Sequence, residues 1–136
     1  MRGAYAFASA LPAALLALSV FAAHPAHAQT REVALGGGQS VDLGPVYWVR
    51  QCQSILRSIV GVEVVSGPPG VSLAVREQPV EARRQNCPGT VPGGVVVATA
   101  GPVAAAEKAR IEYRVTYDTQ EGRRHSTHTV DLLLSP

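Results

Sequence analysis

Turn signals break this chain into short segments, and their spacing is the strongest constraint on its fold. Glycine and proline clusters such as Gly36-Gly37-Gly38 and Pro68-Pro69-Gly70 recur along the sequence. The runs between them alternate apolar and polar residues, which is the period of a half-buried strand. Roughly six to eight short strands with turns about every 8–12 residues are typical of a sandwich. The sequence therefore predicts a mainly β, antiparallel β-sandwich.

The clearest strands lie at the end of the chain. Ile111, Tyr113, Val115 and Tyr117 alternate with charged or polar neighbours, which predicts a strand with one buried face. A turn around 120–122 follows, and the last strand places Val130, Leu132 and Leu134 on one face and Thr127, Thr129 and Asp131 on the other. This pattern predicts a C-terminal hairpin.

The segment 46–60 is ambiguous. Its apolar residues recur at three- and four-residue intervals between Pro45 and Gly61, a pattern that predicts a short helix carrying Cys52 on its inner face. The frequent β-branched residues favour an irregular, strand-like crossing as the alternative. Trp48, at its start, is interpreted as a core or lid residue, with a ligand platform as the alternative.

Other segments carry simpler signals. The alternating runs 62–64 and 71–75 flank the turn cluster 66–70, which predicts a hairpin. Residues 81–94 are polar and rich in glycine and proline, and predict a long loop. Residues 95–100 are apolar on both faces and predict a central strand, while 103–109 predict a helical turn.

The closing stretch, Ala109-Arg110-Ile111-Glu112-Tyr113-Arg114-Val115-Thr116-Tyr117-Asp118 followed by a glycine turn and a last strand, resembles the final hairpin of small bacterial immunoglobulin-like secreted domains without assigned function. The resemblance covers about 28 residues. It implies an immunoglobulin-like sandwich, with Tyr113 as the corner tyrosine of such folds, and it implies no catalytic residues. In antibody-type domains the tryptophan lies between the two cysteines, whereas Trp48 precedes Cys52 here.

The N-terminus has the layout of a secretory signal peptide. Arg2 is followed by an uncharged run from Gly3 to Ala23 and by Ala26-His27-Ala28, small residues two apart before a cleavage site. The alternative is a membrane anchor, because the apolar run approaches the roughly 20 residues that a bilayer needs. Pro12 and the cleavage site favour a signal peptide over 1–28, followed by a single domain over 29–136. The predicted location is periplasmic or secreted.

Cys52 and Cys87 are the two cysteines of the chain. An even number of cysteines in an exported protein predicts a disulfide. A redox or metal-binding pair is the alternative, but the chain has no Cys-x-x-Cys motif.

Charge is nearly balanced once the predicted signal peptide is removed, with eleven basic and ten acidic residues. This balance argues against nucleic acid as an obligatory partner. Two arginine pairs fall in predicted loops, and they form a small cationic patch for carboxylates or phosphates if those loops meet. Isolated surface arginines are the alternative. Together with a tryptophan they are our candidate binding residues: Arg83, Arg84, Arg123, Arg124 and Trp48.

We find no catalytic constellation in the sequence. His125 and His128 lie three apart on a strand and therefore point to opposite faces, so we expect solvated histidines rather than a metal site. Ser126 and Asp131 lie nearby, but closeness in sequence is not triad geometry. We therefore expect a non-enzymatic module of the bacterial cell envelope, without cofactor or metal. It would bind a protein or envelope component through loops or a strand edge. The alternative is a small-ligand or metal-binding periplasmic protein.

Overall fold

The computed structural model describes Gly3 and residues 30–136. The predicted signal peptide therefore lies outside the described residues, apart from Gly3. Nine strands make up most of the described chain: β1 (Arg31–Gly36), β2 (Ser40–Val46), β3 (Val49–Arg50), β4 (Gln53–Ser54), β5 (Leu56–Ser66), β6 (Val71–Glu81), β7 (Thr90–Ala100), β8 (Glu107–Thr119) and β9 (Gly122–Ser135). A single turn of 3-10 helix, Arg83–Gln85, separates β6 from β7.

Two sheets pack face to face. One has the strand order β1-β9-β8-β5 and the other β2-β7-β6, while β3 and β4 form a separate small hairpin. The inward faces of both sheets supply one core, in which six side chains are almost fully enclosed: Leu35, Val96, Ile111, Val115, Tyr117 and Leu132. This architecture confirms the predicted mainly β sandwich.

Two local predictions are also confirmed. Strands β8 and β9 pair in register from Thr119↔Gly122 to Glu107↔Leu134, as the predicted C-terminal hairpin requires. Gly122 closes the turn with φ of 102°, a conformation that favours glycine. Strand β7 is the central strand of its sheet and includes the segment 95–100, which is apolar on both faces.

One pairing departs from the antiparallel expectation. Strand β1 pairs with β9 in parallel, from Arg31↔Val130 to Gly36↔Ser135. The remaining pairings among the described strands are antiparallel. Because β1 and β9 lie at opposite ends of the chain, no short-range sequence signal specifies this contact.

The helix predicted over 46–60 is wrong. This segment forms the end of β2, the β3–β4 hairpin and the start of β5. Leu56, Ile59 and Val62 all pack against the core, three residues apart, and the pairing of β5 with β8 shifts register between 56 and 58 and again between 59 and 61. A bulge in each step adds one residue to the two-residue period of a strand. The three-residue spacing therefore came from a bulged strand.

The hairpin predicted across 66–70 is also wrong. Strand β5 pairs with β8 and strand β6 pairs with β7, so the turn carries the chain from one sheet to the other. The alternating runs 62–64 and 71–75 do lie in strands, although β5 and β6 extend well beyond them. An alternating pattern does not identify the strand with which each one pairs, because a strand with one apolar face can belong to either sheet of the sandwich.

The predicted loop 81–94 is shorter than expected, and the helical turn predicted over 103–109 is wrong, because 101–106 form an irregular connection with a bend. Strand β7 begins at Thr90 and β8 begins at Glu107. Gly93 is buried inside β7, and a Cβ added there would lie 2.4 Å from the carbonyl oxygen of Val46. This glycine permits a close approach of two backbones rather than a turn.

Candidate functional site

Three connections meet at one end of the sandwich. They are the β2–β5 connection (47–55), the β6–β7 connection (82–89) and the β8–β9 turn. The carbonyl of Ile55 accepts a hydrogen bond from the amide of Gln120 at 2.8 Å, and Arg50 forms an ion pair with Glu121 at 2.5 Å. We call these three connections the loop end.

The disulfide joins two of these connections. Cys52 and Cys87 are bonded, which confirms the predicted pairing. Gln51 and Cys52 have φ of 51° and 62° and form the two-residue turn between β3 and β4. Positive φ at both turn positions is the geometry of a type I′ hairpin. The bond therefore fixes the hairpin that follows Trp48 against the segment that carries Arg83 and Arg84.

A groove of about 560 Å³ opens beside these loops, between the two sheets. Tyr47, Trp48 and Tyr117 supply its aromatic lining, and Ser126 and His128 of β9 supply polar groups. A volume between about 300 and 1,000 Å³ with a few converging polar groups is typical of ligand sites.

The groove floor is a connected set of side chains. The hydroxyls of Tyr117 and Ser126 are hydrogen-bonded at 2.8 Å, and Ser126 Oγ lies 2.8 Å from Nε2 of His128. The imidazole of His128 stacks on Tyr113 with ring centroids 5.1 Å apart, and Trp48 packs on Tyr117 at 5.3 Å. These contacts hold the rings in fixed positions before any ligand arrives.

Burial keeps the ionisable side chains of this floor electrically neutral. Burial lowers the pKa of His128 below its ordinary value of 6.5, and the nearby Arg84 lowers it further. Burial raises the pKa of Tyr113 to about 12 and also raises that of Tyr117. His128 is therefore an uncharged imidazole at neutral pH, with one nitrogen that donates and one that accepts.

The Ser126–His128 contact has the separation of a nucleophile and its base. In a hydrolase triad a carboxylate orients the histidine. Asp131 lies on the opposite face of β9, where it is buried and ion-paired with Arg110 at 2.9 Å. Among the described residues, no carboxylate is hydrogen-bonded to His128. The geometry does not assemble a triad from these residues.

A second cavity of about 300 Å³ continues the groove along β9. The two share Pro45, Arg84 and His128 in their linings. The second cavity adds Arg31 and Tyr113 and runs between Leu43 on β2 and Val130 on β9. The groove thus follows the side of the sandwich from the loop end to the start of β1.

One stretch of β9 beside this groove has a single neighbouring strand. Strand β1 covers β9 from Val130 to Ser135, while residues 122–129 pair with β8 alone. In a paired strand alternate backbone amides and carbonyls point away from the partner. Within the described chain these outward groups have no strand to meet. We call residues 122–129 the open β9 edge.

The structure separates the two predicted arginine pairs. Arg84 and Arg83 line the groove together with Trp48, whereas Arg123 and Arg124 do not. Arg123 is ion-paired with Asp118 at 2.9 Å, and Arg124 donates a hydrogen bond to the carbonyl of Arg123. The four arginines therefore do not form one patch in the groove.

The two arginines at the groove differ from each other. Arg83 is ion-paired with Glu81 at 2.5 Å. Arg84 has no ion pair with any residue that the structure describes. Its guanidinium therefore keeps its charge-assisted donors for another group.

The expectation of two solvated histidines is wrong for His128. His125 is exposed on the opposite face, but His128 is half-buried and hydrogen-bonded. The signal was present in the sequence, because the alternation that buries Val130 and Leu132 also turns Ser126 and His128 inward.

The described residues hold no cluster of three or more histidine, cysteine, aspartate or glutamate side chains placed to bind a metal ion. No helix within the described part of the chain has the length and apolar character to span a membrane. Comparison with protein families, curated proteins and solved structures finds no match to this chain.

Proposed function

We propose that this protein is an exported, non-enzymatic interaction module that takes up an extended segment of a partner protein at the open β9 edge. The observation that carries this proposal is the mismatch in length between β1 and β9, which leaves residues 122–129 with one strand neighbour. Addition of a strand from a partner satisfies such an edge with main-chain hydrogen bonds.

The groove favours the open β9 edge, rather than another sheet edge, as the site of strand addition. An added strand in contact with the open β9 edge projects alternate side chains into the space lined by Trp48, Tyr117 and His128. Main-chain pairing supplies affinity, and pockets for alternate side chains supply specificity. Strand β5 is also an edge, but its pairing with β8 shifts register three times. Such bulges protect an edge from pairing.

Export supports the same proposal. We propose that residues 1–28 are cleaved as a signal peptide and that the domain is periplasmic or secreted, where its disulfide is stable. Cleavage after Ala28 leaves Gln29 and Thr30 ahead of β1, and two residues are too few to cover the eight of the open edge. Intact-mass analysis of the exported protein tests this. A chain that starts at Gln29 agrees with it, and one that retains Met1 contradicts it.

We also propose that the sandwich is immunoglobulin-like. When the seven long strands are lettered in chain order from A to G, one sheet contains B, E and D and the other A, G, F and C. The constant-type immunoglobulin arrangement places A, B, E and D in one sheet and C, F and G in the other, so this chain differs from it in the position of strand A. In such folds the loops at one end are binding sites, which is the position of Trp48 and Arg84 here.

Selection from a library of random eight-residue peptides, followed by hydrogen exchange, tests the proposed function. We expect bound peptides to slow amide exchange at alternate residues of the stretch 122–129, because the amides that point away from β8 gain partners. Two N-methylated forms of one selected peptide, modified at odd or at even positions, provide matched controls. One form should lose binding and the other should keep it, since only alternate amides face the edge.

Equal binding by both N-methylated forms, or protection confined to other segments, contradicts strand addition. The groove volume favours one alternative, a site for a small ligand. A ligand that slows exchange around the loop end without any change at 122–129 would support that alternative instead.

A further inference from the structure

The groove is closed at one end by the start of β1. Arg31 of β1 is opposite Val130 of β9 and is preceded by Thr30, so a strand added at the open β9 edge meets the chain that leads into β1 before it reaches Val130 and cannot continue. Strand β1 itself runs parallel to β9. A partner segment parallel to β9 therefore lies in line with β1 and must have its C-terminal end at this position.

Two arginines line this closed end. Arg31 and Arg84 both border the 300 Å³ cavity, and its described lining includes no aspartate or glutamate. Arg31 lies on the same face of β1 as the buried Val33 and Leu35 and reaches the opposite sheet, where its Nη1 donates to the carbonyl of Leu43 at 2.7 Å. A guanidinium has five N–H donors, so this bond leaves others for a ligand.

The neighbouring groove adds little negative charge. Glu81 is the one carboxylate in its described lining, and it is ion-paired with Arg83. Neither Arg31 nor Arg84 has an ion pair within the described residues. Two cations without a local counter-charge suit a carboxylate, which accepts paired N–H bonds from arginine.

We infer that the closed end of the groove binds the C-terminal carboxylate of a partner protein, whose last residues run parallel to β9 along the open β9 edge. The inference rests on the proposed function and specifies the ligand of the same site. It follows from the steric stop at β1 together with the two arginines at that stop.

Trp48 provides a direct readout, because it is the single tryptophan of the chain and it lines the groove. The probe is an eight-residue peptide, selected from a library displayed with free C-termini, and made both as the free acid and as the C-terminal amide. We expect amidation to weaken binding about tenfold, because charge-assisted hydrogen bonds to the two arginines are lost. Salt should weaken binding of the acid more than binding of the amide.

Two variants test whether Arg31 and Arg84 bind the C-terminal carboxylate. Arg31→Gln and Arg84→Gln should each weaken binding of the free acid and reduce its advantage over the amide. Arg57→Gln is the matched control, since Arg57 is exposed on β5 at the opposite edge of the same sheet and lines neither cavity. Thermal unfolding of each variant confirms that it is folded before its affinity is compared.

The outcomes separate this inference from the proposed function. If acid and amide bind equally and both slow exchange at 122–129, the carboxylate site is wrong and strand addition stands. If affinity depends on an internal aspartate or glutamate and not on the C-terminus, the arginines bind an acidic side chain and the inference is overturned. If no peptide protects 122–129, both proposals are wrong.

Discussion

His128 shows how one inward-facing polar residue changes the character of a sandwich. The strand alternation places it where Val130 and Leu132 would extend the core, yet it carries an imidazole hydrogen-bonded to Ser126 and stacked on Tyr113. A half-buried polar group is tolerated when it has a partner. The hydrogen bond to Ser126 and the stacking on Tyr113 therefore let a polar side chain line the groove beside the core.

The pH dependence of stability follows from the environment of His128. Its pKa in the folded protein is lower than the ordinary 6.5, first through burial and then through Arg84. The unfolded chain therefore binds more protons than the folded chain as pH falls below 6.5. We expect the free energy of unfolding to be fully maintained above that pH and to decrease below it.

Urea unfolding of the wild type and of His128→Gln between pH 7.5 and about pH 5 measures this effect. The variant should lose the part of the acid-induced destabilisation that His128 contributes. His125→Gln is the control, because its side chain is exposed on the other face. An unchanged pH profile in His128→Gln would show that the imidazole does not resist protonation in the folded state.

At the scale of elements, the loop end depends on the disulfide. The β3–β4 hairpin has only two residues in each strand, and a hairpin of this size is marginal without other support. The Cys52–Cys87 bond attaches it to the segment 82–89, under which Val80, Ala82, Val91 and Val95 form a small second core. The bond therefore adds a covalent constraint to the packing of Trp48 on Tyr117 and to the hydrogen bond from Tyr47 to Gln85.

The double variant Cys52→Ala/Cys87→Ala tests that dependence. The bond spans 35 residues of sequence, and we expect its loss to lower the free energy of unfolding by about 3–4 kcal/mol through the chain entropy of the unfolded state. Amide exchange should accelerate in 47–55 and 82–89 more than in β7 or β8. Wild-type protein under reducing conditions is the control, and it should show the same loss of stability and the same local increase in exchange as the double variant. Uniform acceleration across the sandwich would contradict a local role.

At the scale of the molecule, both sheets share one core. Its buried members come from six of the seven long strands, and half-buried residues of β5 pack against them. The strand pairings join distant parts of the chain, such as β1 with β9 and β2 with β7. Neither sheet can bury its inner face without the other. We therefore expect the domain to unfold as a single unit.

Equilibrium urea unfolding checks this with two probes, Trp48 fluorescence and far-ultraviolet circular dichroism, whose transitions should coincide. Val115→Ala, at 0% exposure, should lower the free energy of unfolding by about 2–3 kcal/mol. Val65→Ala, at 52% exposure, is the control and should change it by less than about 0.5 kcal/mol. Separate transitions for the two probes would mean that the loop end unfolds independently of the sandwich.

The sequence by itself determined most of the long strands, the C-terminal hairpin, the inward apolar faces of β8 and β9 and the cysteine pairing. The strands and the hairpin depend on local periodicity and turn chemistry, which act over short distances. The cysteine pairing follows because two cysteines can pair in only one way. The sequence misassigned 46–60 because bulges in β5 reproduce a helical spacing.

Only the tertiary structure decided which strands pair and where a strand lacks a partner. The open β9 edge exists because β1 starts opposite Val130, and the groove exists because Trp48, Arg84, Tyr117 and His128 converge from four separate segments. The sequence neighbours of each of these residues give no sign that the four side chains meet. Their meeting is a consequence of packing two sheets around one core, which no short-range pattern specifies.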